Sequence, residues 1–104
     1  MSNWVRIARI DDCTRGSIQE RVAGERVVAL FNVDGELYAL DGVCPHQGGP
    51  LGKGCLVGAV VTCPWHGWQF DVRTGRHQVS PTIAQPRLPV RIEGDFVLVD
   101  IEPA

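Results

Sequence analysis

Cys44-Pro45-His46 and Cys63-Pro64-Trp65-His66 each place a thiol and an imidazole within four residues, and only residues 47–62 separate the two groups. Thiolate and imidazole are both ligands for transition metals. Two short loops, each offering one of either kind, can close around a metal centre from two sides, and Pro45 and Pro64 stiffen them. Three kinds of centre compete. Tetrahedral zinc takes two Cys and two His, but usually from C-x2-4-C and H-x3-5-H pairs, whereas each pair here is mixed. A four-cysteine iron–sulfur cluster would need Cys13 and Cys55, and neither lies in a paired spacing. A two-iron, two-sulfide cluster with two Cys on one iron and two His on the other uses the four paired residues as they stand. Zinc, or a degenerate empty site, stays open as an alternative.

Other residues near the pairs have plainer readings. Cys13 and Cys55 read as small hydrophobes, with a disulfide between them disfavoured. His77 reads as a polar strand residue. In QGGPLGKG, Lys53 is followed by Gly54, so the phosphate-loop pattern G-x-x-x-x-G-K-[ST] fails. Glycines beside a cluster have another use, since bare backbone lets N–H groups approach sulfur, although each glycine is also compatible with a simple turn.

The elements that must carry these loops are strands. Short runs of Val, Ile, Leu and aromatics alternate with turn signals, and no window of a dozen residues keeps a helical period. Strands are expected at 4–8, 17–22, 25–32, 36–40, 59–62, 68–72, 76–79, 88–92 and 96–101. Asp34-Gly35, Thr74-Gly75 and Gly94-Asp95 mark hairpin turns. Val27, Ala29 and Phe31 alternate with Val28, Leu30 and Asn32, the pattern of a strand covered on both faces. Phe96, Leu98 and Asp100 fall on one face of the last strand and Val97, Val99 and Ile101 on the other, which suits a central position. Pro81, Pro86 and Pro89 remove three ladder donors and favour an extended loop. Strands joined by such turns pack as a small sandwich or barrel, so the fold class is all-β.

At 104 residues the chain has the length of a single domain, able to bury roughly 60 to 70% of its unfolded surface. Hydrophobic residues make up 44% and charged residues 21%, with a net charge of −2, as in ordinary globular proteins. Ten Lys and Arg are scattered among twelve Asp and Glu, without the basic stripe of a nucleic-acid binder. No segment reaches the roughly 20 apolar residues of a membrane span, and the first residues lack a signal-peptide core. A cytoplasmic location is expected, where four cysteines favour metal ligation over a disulfide framework.

The two boxes, Cys44-Pro45-His46 and Cys63-Pro64-Trp65-His66-Gly67, resemble the ligand boxes of Rieske proteins. The likeness extends to Gly35, Tyr38 and Leu40, to FDVRTG after the second box and to PVRIEGDFVLVDI at the end. It implies a single Rieske domain over residues 1–104, with a β-sandwich or barrel base and a small cluster-binding subdomain at about 42–71. It implies one Rieske-type 2Fe-2S cluster per chain, with Cys44 and Cys63 on the inner iron. His46 and His66 would hold the outer iron near the surface, so that electrons cross the imidazole edges. Pro45, Gln47, Leu51, Pro64 and Trp65 would form a mostly uncharged docking rim, and Pro81 to Pro89 would pack over a third side of the cluster.

The resemblance also separates subclasses. High-potential Rieske proteins of cytochrome bc complexes carry a further Cys in each box, joined as a disulfide, and the matching positions here are Gly49 and Trp65. Their Ser and Tyr donors to the cluster match Trp68 and Phe70, which have no hydroxyl. Fewer donors destabilise the reduced cluster, placing the potential toward the low end of a range of roughly −150 to +300 mV. The resemblance therefore implies a ferredoxin-type electron carrier with no catalysis of its own, taking single electrons from a flavin-dependent NAD(P)H reductase to a terminal oxygenase. An oxygenase would need a two-His, one-carboxylate iron site, and only His77 is left over. The small subunit of a nitrite reductase, partnered by its large subunit, is an alternative, as is a zinc-bound or metal-free interaction module.

Overall fold

The computed structural model describes residues 2–44, 48–65, 67–80 and 82–103. Its strands are β1 (Trp4–Arg9), β2 (Ile18–Ala23), β3 (Arg26–Val33), β4 (Glu36–Asp41), β5 (Cys55–Val57), β6 (Val60–Thr62), β7 (Gln69–Asp71), β8 (Arg87–Leu88), β9 (Val90–Glu93) and β10 (Phe96–Asp100). Short 3-10 turns at Ile10–Asp12 and Leu51–Lys53 complete the elements.

β3 organises the layers because its side chains are apolar on both faces. Val28 and Leu30 point into one core with Ala8, Ala39, Leu88, Val97 and Val99. Ala29 and Phe31 point into a second, with Leu40, Leu51, Val61, Phe70, Val72 and both Cys44 and Cys63. The sheet β2-β3-β4-β8 is therefore the middle layer. The sheet β1-β10-β9 covers one face and the small sheet β5-β6-β7 shares the core on the other. Burial of each large side chain such as Phe31, Phe70 or Leu51 stabilises the assembly by about 1.5 to 3 kcal/mol. The metal-capable thiols thus sit in an apolar core, which fixes them by packing.

Turn chemistry sets the registers. Val33 pairs with Glu36 across Asp34 and Gly35, and the buried Asn32 closes that turn by accepting the Gly35 N–H at 2.8 Å. β10 lies between β1 and β9, the central position its two apolar faces require. All ladders are antiparallel.

Three expectations change. Residues 76–79 form no strand and make only isolated bridges, Phe70 with His77 and Arg76 with Ala84. The cause is local: His77 Nδ1 accepts the N–H groups of both Val79 and Ser80 at 3.0 Å, which curls the backbone out of the ladder. Cys55–Val57 is a strand too short to announce itself by alternation. Within the proline-rich stretch Arg87 and Leu88 pair with Leu40 and Ala39, because the two residues between Pro86 and Pro89 keep their N–H groups.

Candidate metal centre

Two arms leave the layered base. The first departs from the end of β4 and folds back on itself. The Cys44 N–H donates to the Gly49 carbonyl at 2.8 Å, the Gly48 N–H to the Cys44 carbonyl at 2.9 Å, and Val43 bridges to Pro50. The second joins β6 to β7 and is closed by the Cys63 N–H donating to the Trp68 carbonyl at 2.8 Å. Each cysteine stands at the first position of its arm, where ladder and packing both hold it. Cys44 is 2% exposed and Cys63 1%.

The two thiols share one buried core, and Cys44 is near enough to act on the ionisation of Cys63. Burial pushes the Cys63 thiol above its ordinary value; the Trp65 backbone N–H opposes the rise, and the adjacent Cys44 adds to it. Two adjoining buried thiols ionise together only if a cation compensates them. That donor set fits an iron of a 2Fe-2S cluster, bound by two thiolates.

Close packing accounts for Gly49. A β-carbon there would lie 2.6 Å from Cys63 Sγ and 3.0 Å from Trp65 Cβ, so only glycine lets the first arm close against the second. This is also where the resemblance locates the extra disulfide of high-potential proteins. Here Gly49 and Trp65 abut and no bridge forms; all four cysteines are free.

His46 and His66 lie outside the described residues, as do Pro45, Gln47 and Pro81. The structure thus brings together the cysteine half of the predicted ligand set. Cys13 is buried in the first core, and Cys55 is exposed on β5, where it pairs with Thr62; both are free thiols. Leu51 departs from its expected place on the docking rim: it is fully buried beside the cysteines, its N–H donating to the Gly42 carbonyl at 2.9 Å. Pro64 and Trp65 are exposed, Trp65 at 50%.

Phe70, at a position where the resemblance looks for a hydroxyl, is a fully buried core residue, and Trp68 packs against the same core. His77 is edge-on to both, with ring centroids 4.8 Å from Trp68 and 5.3 Å from Phe70. With two N–H donors on Nδ1, His77 carries its proton on Nε2, a buried atom with no hydrogen-bond partner among the described residues. From the proline-bearing loop, Ile83 packs against the core that holds the cysteines. Sequence reasoning overlooked Gln85, 3% exposed and hydrogen-bonded to the root of the first arm.

The model of the Rieske [2Fe-2S] domain matches residues 3–94. The chain belongs to the Rieske [2Fe-2S] family. A curated relative is the ferredoxin component of the naphthalene 1,2-dioxygenase/salicylate 5-hydroxylase systems of Ralstonia sp. It is 34% identical over 101 residues, covering 96% of this chain and 97% of the relative. Among solved structures, the ferredoxin of Sphingomonas yanoikuyae B1 superposes with a TM-score of 0.86 at 31% identity, covering 97% of this chain and all of that one. A chain from the complex of reduced oxygenase and oxidized ferredoxin in carbazole 1,9a-dioxygenase gives a TM-score of 0.88 at 30% identity, covering 97% of this chain and 95% of that chain. A nitrite reductase small subunit shares the Rieske fold at 18% identity, with a TM-score of 0.78 over 93% of this chain and 97% of that one. The cofactor of this Rieske chain is the 2Fe-2S cluster of its family.

Proposed function

We propose that this Rieske protein is a one-electron carrier in which Cys44 and Cys63 hold the inner iron and His46 and His66 the outer iron of a single 2Fe-2S cluster. The observation that carries the reading is the pair of buried cysteines in one core at the start of two hydrogen-bonded arms, in a chain matched over 96% of its length by a ferredoxin component. The cluster supplies the redox chemistry, gaining and losing one electron. The protein's part is to hold the thiolates rigidly, keep water from them with Leu51, Val61 and Phe70, and aim the Trp65 N–H at Cys63 Sγ. Catalysis by the chain itself is disfavoured by His77, whose Nδ1 is committed to two backbone N–H groups.

The partners are a flavin-dependent NAD(P)H reductase as donor and a terminal oxygenase as acceptor, by likeness to the relatives and to the oxygenase–ferredoxin complex. Docking uses the exposed Pro64 and Trp65 of the second arm. The single domain spans residues 1–104, with the cluster-binding part at about 42–71. No helix among the described residues is long and apolar enough to cross a membrane, and the unbridged Cys13 and Cys55 favour the reducing cytoplasm.

The potential lies toward the low end of the family range, because neither Trp68 nor Phe70 offers a hydroxyl to the cluster. Purified protein tests the reading directly. Iron and labile sulfide in equal amounts, with a low potential by voltammetry, are expected. Colourless protein containing zinc would overturn the carrier in favour of a binding module, and a potential well above the middle of the range would overturn the subclass.

A further inference from the structure

Gln85 is 3% exposed although it lies in a proline-bearing connector, and a buried amide is costly unless its hydrogen bonds are made. Its setting follows from the ladder just after it in the chain. β8 pairs with β4 only at Ala39 and Leu40. One step further, the Asp41 N–H still donates to the Pro86 carbonyl at 2.9 Å, but Pro86 has no N–H to return. The carbonyls beyond would lack ladder donors, and the Gln85 side chain replaces them. Its Nε2 donates to the carbonyl of Asp41 at 2.6 Å and to that of Val43. Two acceptors on that side fix which end of the amide points there.

The backbone of the same residue reaches the other arm. The Gln85 N–H donates to the Gly75 carbonyl at 2.7 Å, and a β-carbon on Gly75 would collide with the Gln85 carbonyl. Val43 immediately precedes Cys44, and Gly75 closes the turn behind β7, the strand that leaves the Cys63 arm. One buried residue therefore grips the backbone at the root of both arms, from more than forty residues away along the chain for the first.

We propose that Gln85 is a positioning residue for electron transfer: its side-chain amide and backbone N–H lock the two cysteine-bearing arms into one register. The function follows from geometry. The Cys44 and Cys63 sulfurs share one iron only while their separation is held, and metal–ligand distances tolerate about ±0.2 Å. Backbone N–H groups of the arms act on the cluster sulfurs only in the same register. Gln85 thus governs both how long the cluster is retained and where its potential lies. The inference rests on the assignment of Cys44 and Cys63 as ligands.

Gln85→Met tests it, since Met keeps length and neutrality but removes both side-chain donors. Asn32→Ala is the control. Asn32 is likewise a buried amide, on β3 opposite Leu37 near the start of β4, donating to the Cys13 carbonyl at 2.7 Å. Both variants are measured as intact protein for global stability in urea, hydrogen exchange of segment 41–51, bleaching by a chelator, and potential. Gln85→Met is expected to speed both exchange in 41–51 and bleaching by about tenfold, as loss of a buried hydrogen bond allows. Its potential should also move downward. Asn32→Ala should lose comparable global stability with none of the three local changes. Equal local behaviour in the two variants would overturn the proposal. Iron-free wild-type protein would instead overturn the ligand assignment, and exchange in 41–51 would still decide whether Gln85 holds the arms.

Discussion

Gly49→Ala adds one methyl group at the point where the two arms meet. Placed on the existing backbone, the new carbon lies 2.6 Å from Cys63 Sγ and 3.0 Å from Trp65 Cβ, and ordinary contact begins near 3.4 Å. The sulfur or the whole first arm must therefore retreat by about 0.8 Å, several times the ±0.2 Å that a metal–ligand bond tolerates. Gly49 is not among the glycines with positive φ, so backbone strain does not contribute and the effect is one of space alone. For the cluster-free fold, overpacking of this kind costs about 1 to 3 kcal/mol. For a domain of this size that lowers the thermal midpoint by roughly 4 to 8 °C per kcal/mol. The cluster should suffer more than the fold, because misplacing one sulfur removes a ligand. The assay is the visible absorbance of purified protein and its bleaching rate under excess chelator, set beside the thermal midpoint of the iron-free form. Bleaching should accelerate by at least about tenfold, the factor that ~1.4 kcal/mol produces. A Gly49→Ala protein that retains full iron and bleaches at the wild-type rate would refute the close approach of the arms and the assignment of Cys63 as a ligand.

Cys44→Ser or Cys63→Ser should abolish the cluster's visible absorbance. Cys55→Ser, on an exposed strand position, should leave iron content and potential unchanged, and iron loss from the latter would contradict the ligand set. Trp65→Ala should weaken docking to the oxygenase by roughly thirtyfold, the effect of a 2 kcal/mol hot spot, read as the concentration giving half-maximal electron transfer. Unchanged docking at unchanged potential would remove Trp65 from the interface. Hydrogen bonds from the Arg73 side chain hold the Asp71 carboxyl below its ordinary value. Since the folded-state value is the lower one, the pair's stabilisation is present above about pH 3.9 and fades as pH falls through the folded value. Asp71→Asn should cost only about 0.5 kcal/mol at pH 7, because Arg73 is largely exposed, and should flatten the acid limb of urea unfolding. An acid limb identical to wild type would show that the pair contributes nothing.

What could be read from residues alone was what local patterns carry. The double-faced alternation of residues 27–32 announced a middle-layer strand, and Asp34-Gly35 announced its hairpin. The mixed Cys and His boxes marked four candidate ligands by identity and spacing, and of these Cys44 and Cys63 meet in the fold. What escaped was nonlocal. Leu51 lies between glycines near the first box and looked like a rim residue, but a 3-10 turn drives it into the core with Phe31 and Val61. His77 looked like part of a strand until its ring took two N–H donors from its own successors. Gln85 carries no periodic or motif signal, because its partners Asp41 and Val43 are more than forty residues distant and are reached through backbone carbonyls that every sequence possesses.

The electron paramagnetic resonance spectrum of the reduced protein tests the central claim most directly, since it reports which atoms bind the reduced iron. Ligation by His46 and His66 on one iron and Cys44 and Cys63 on the other predicts an average g value below that of clusters held by four cysteines. A spectrum of the all-cysteine type would contradict it.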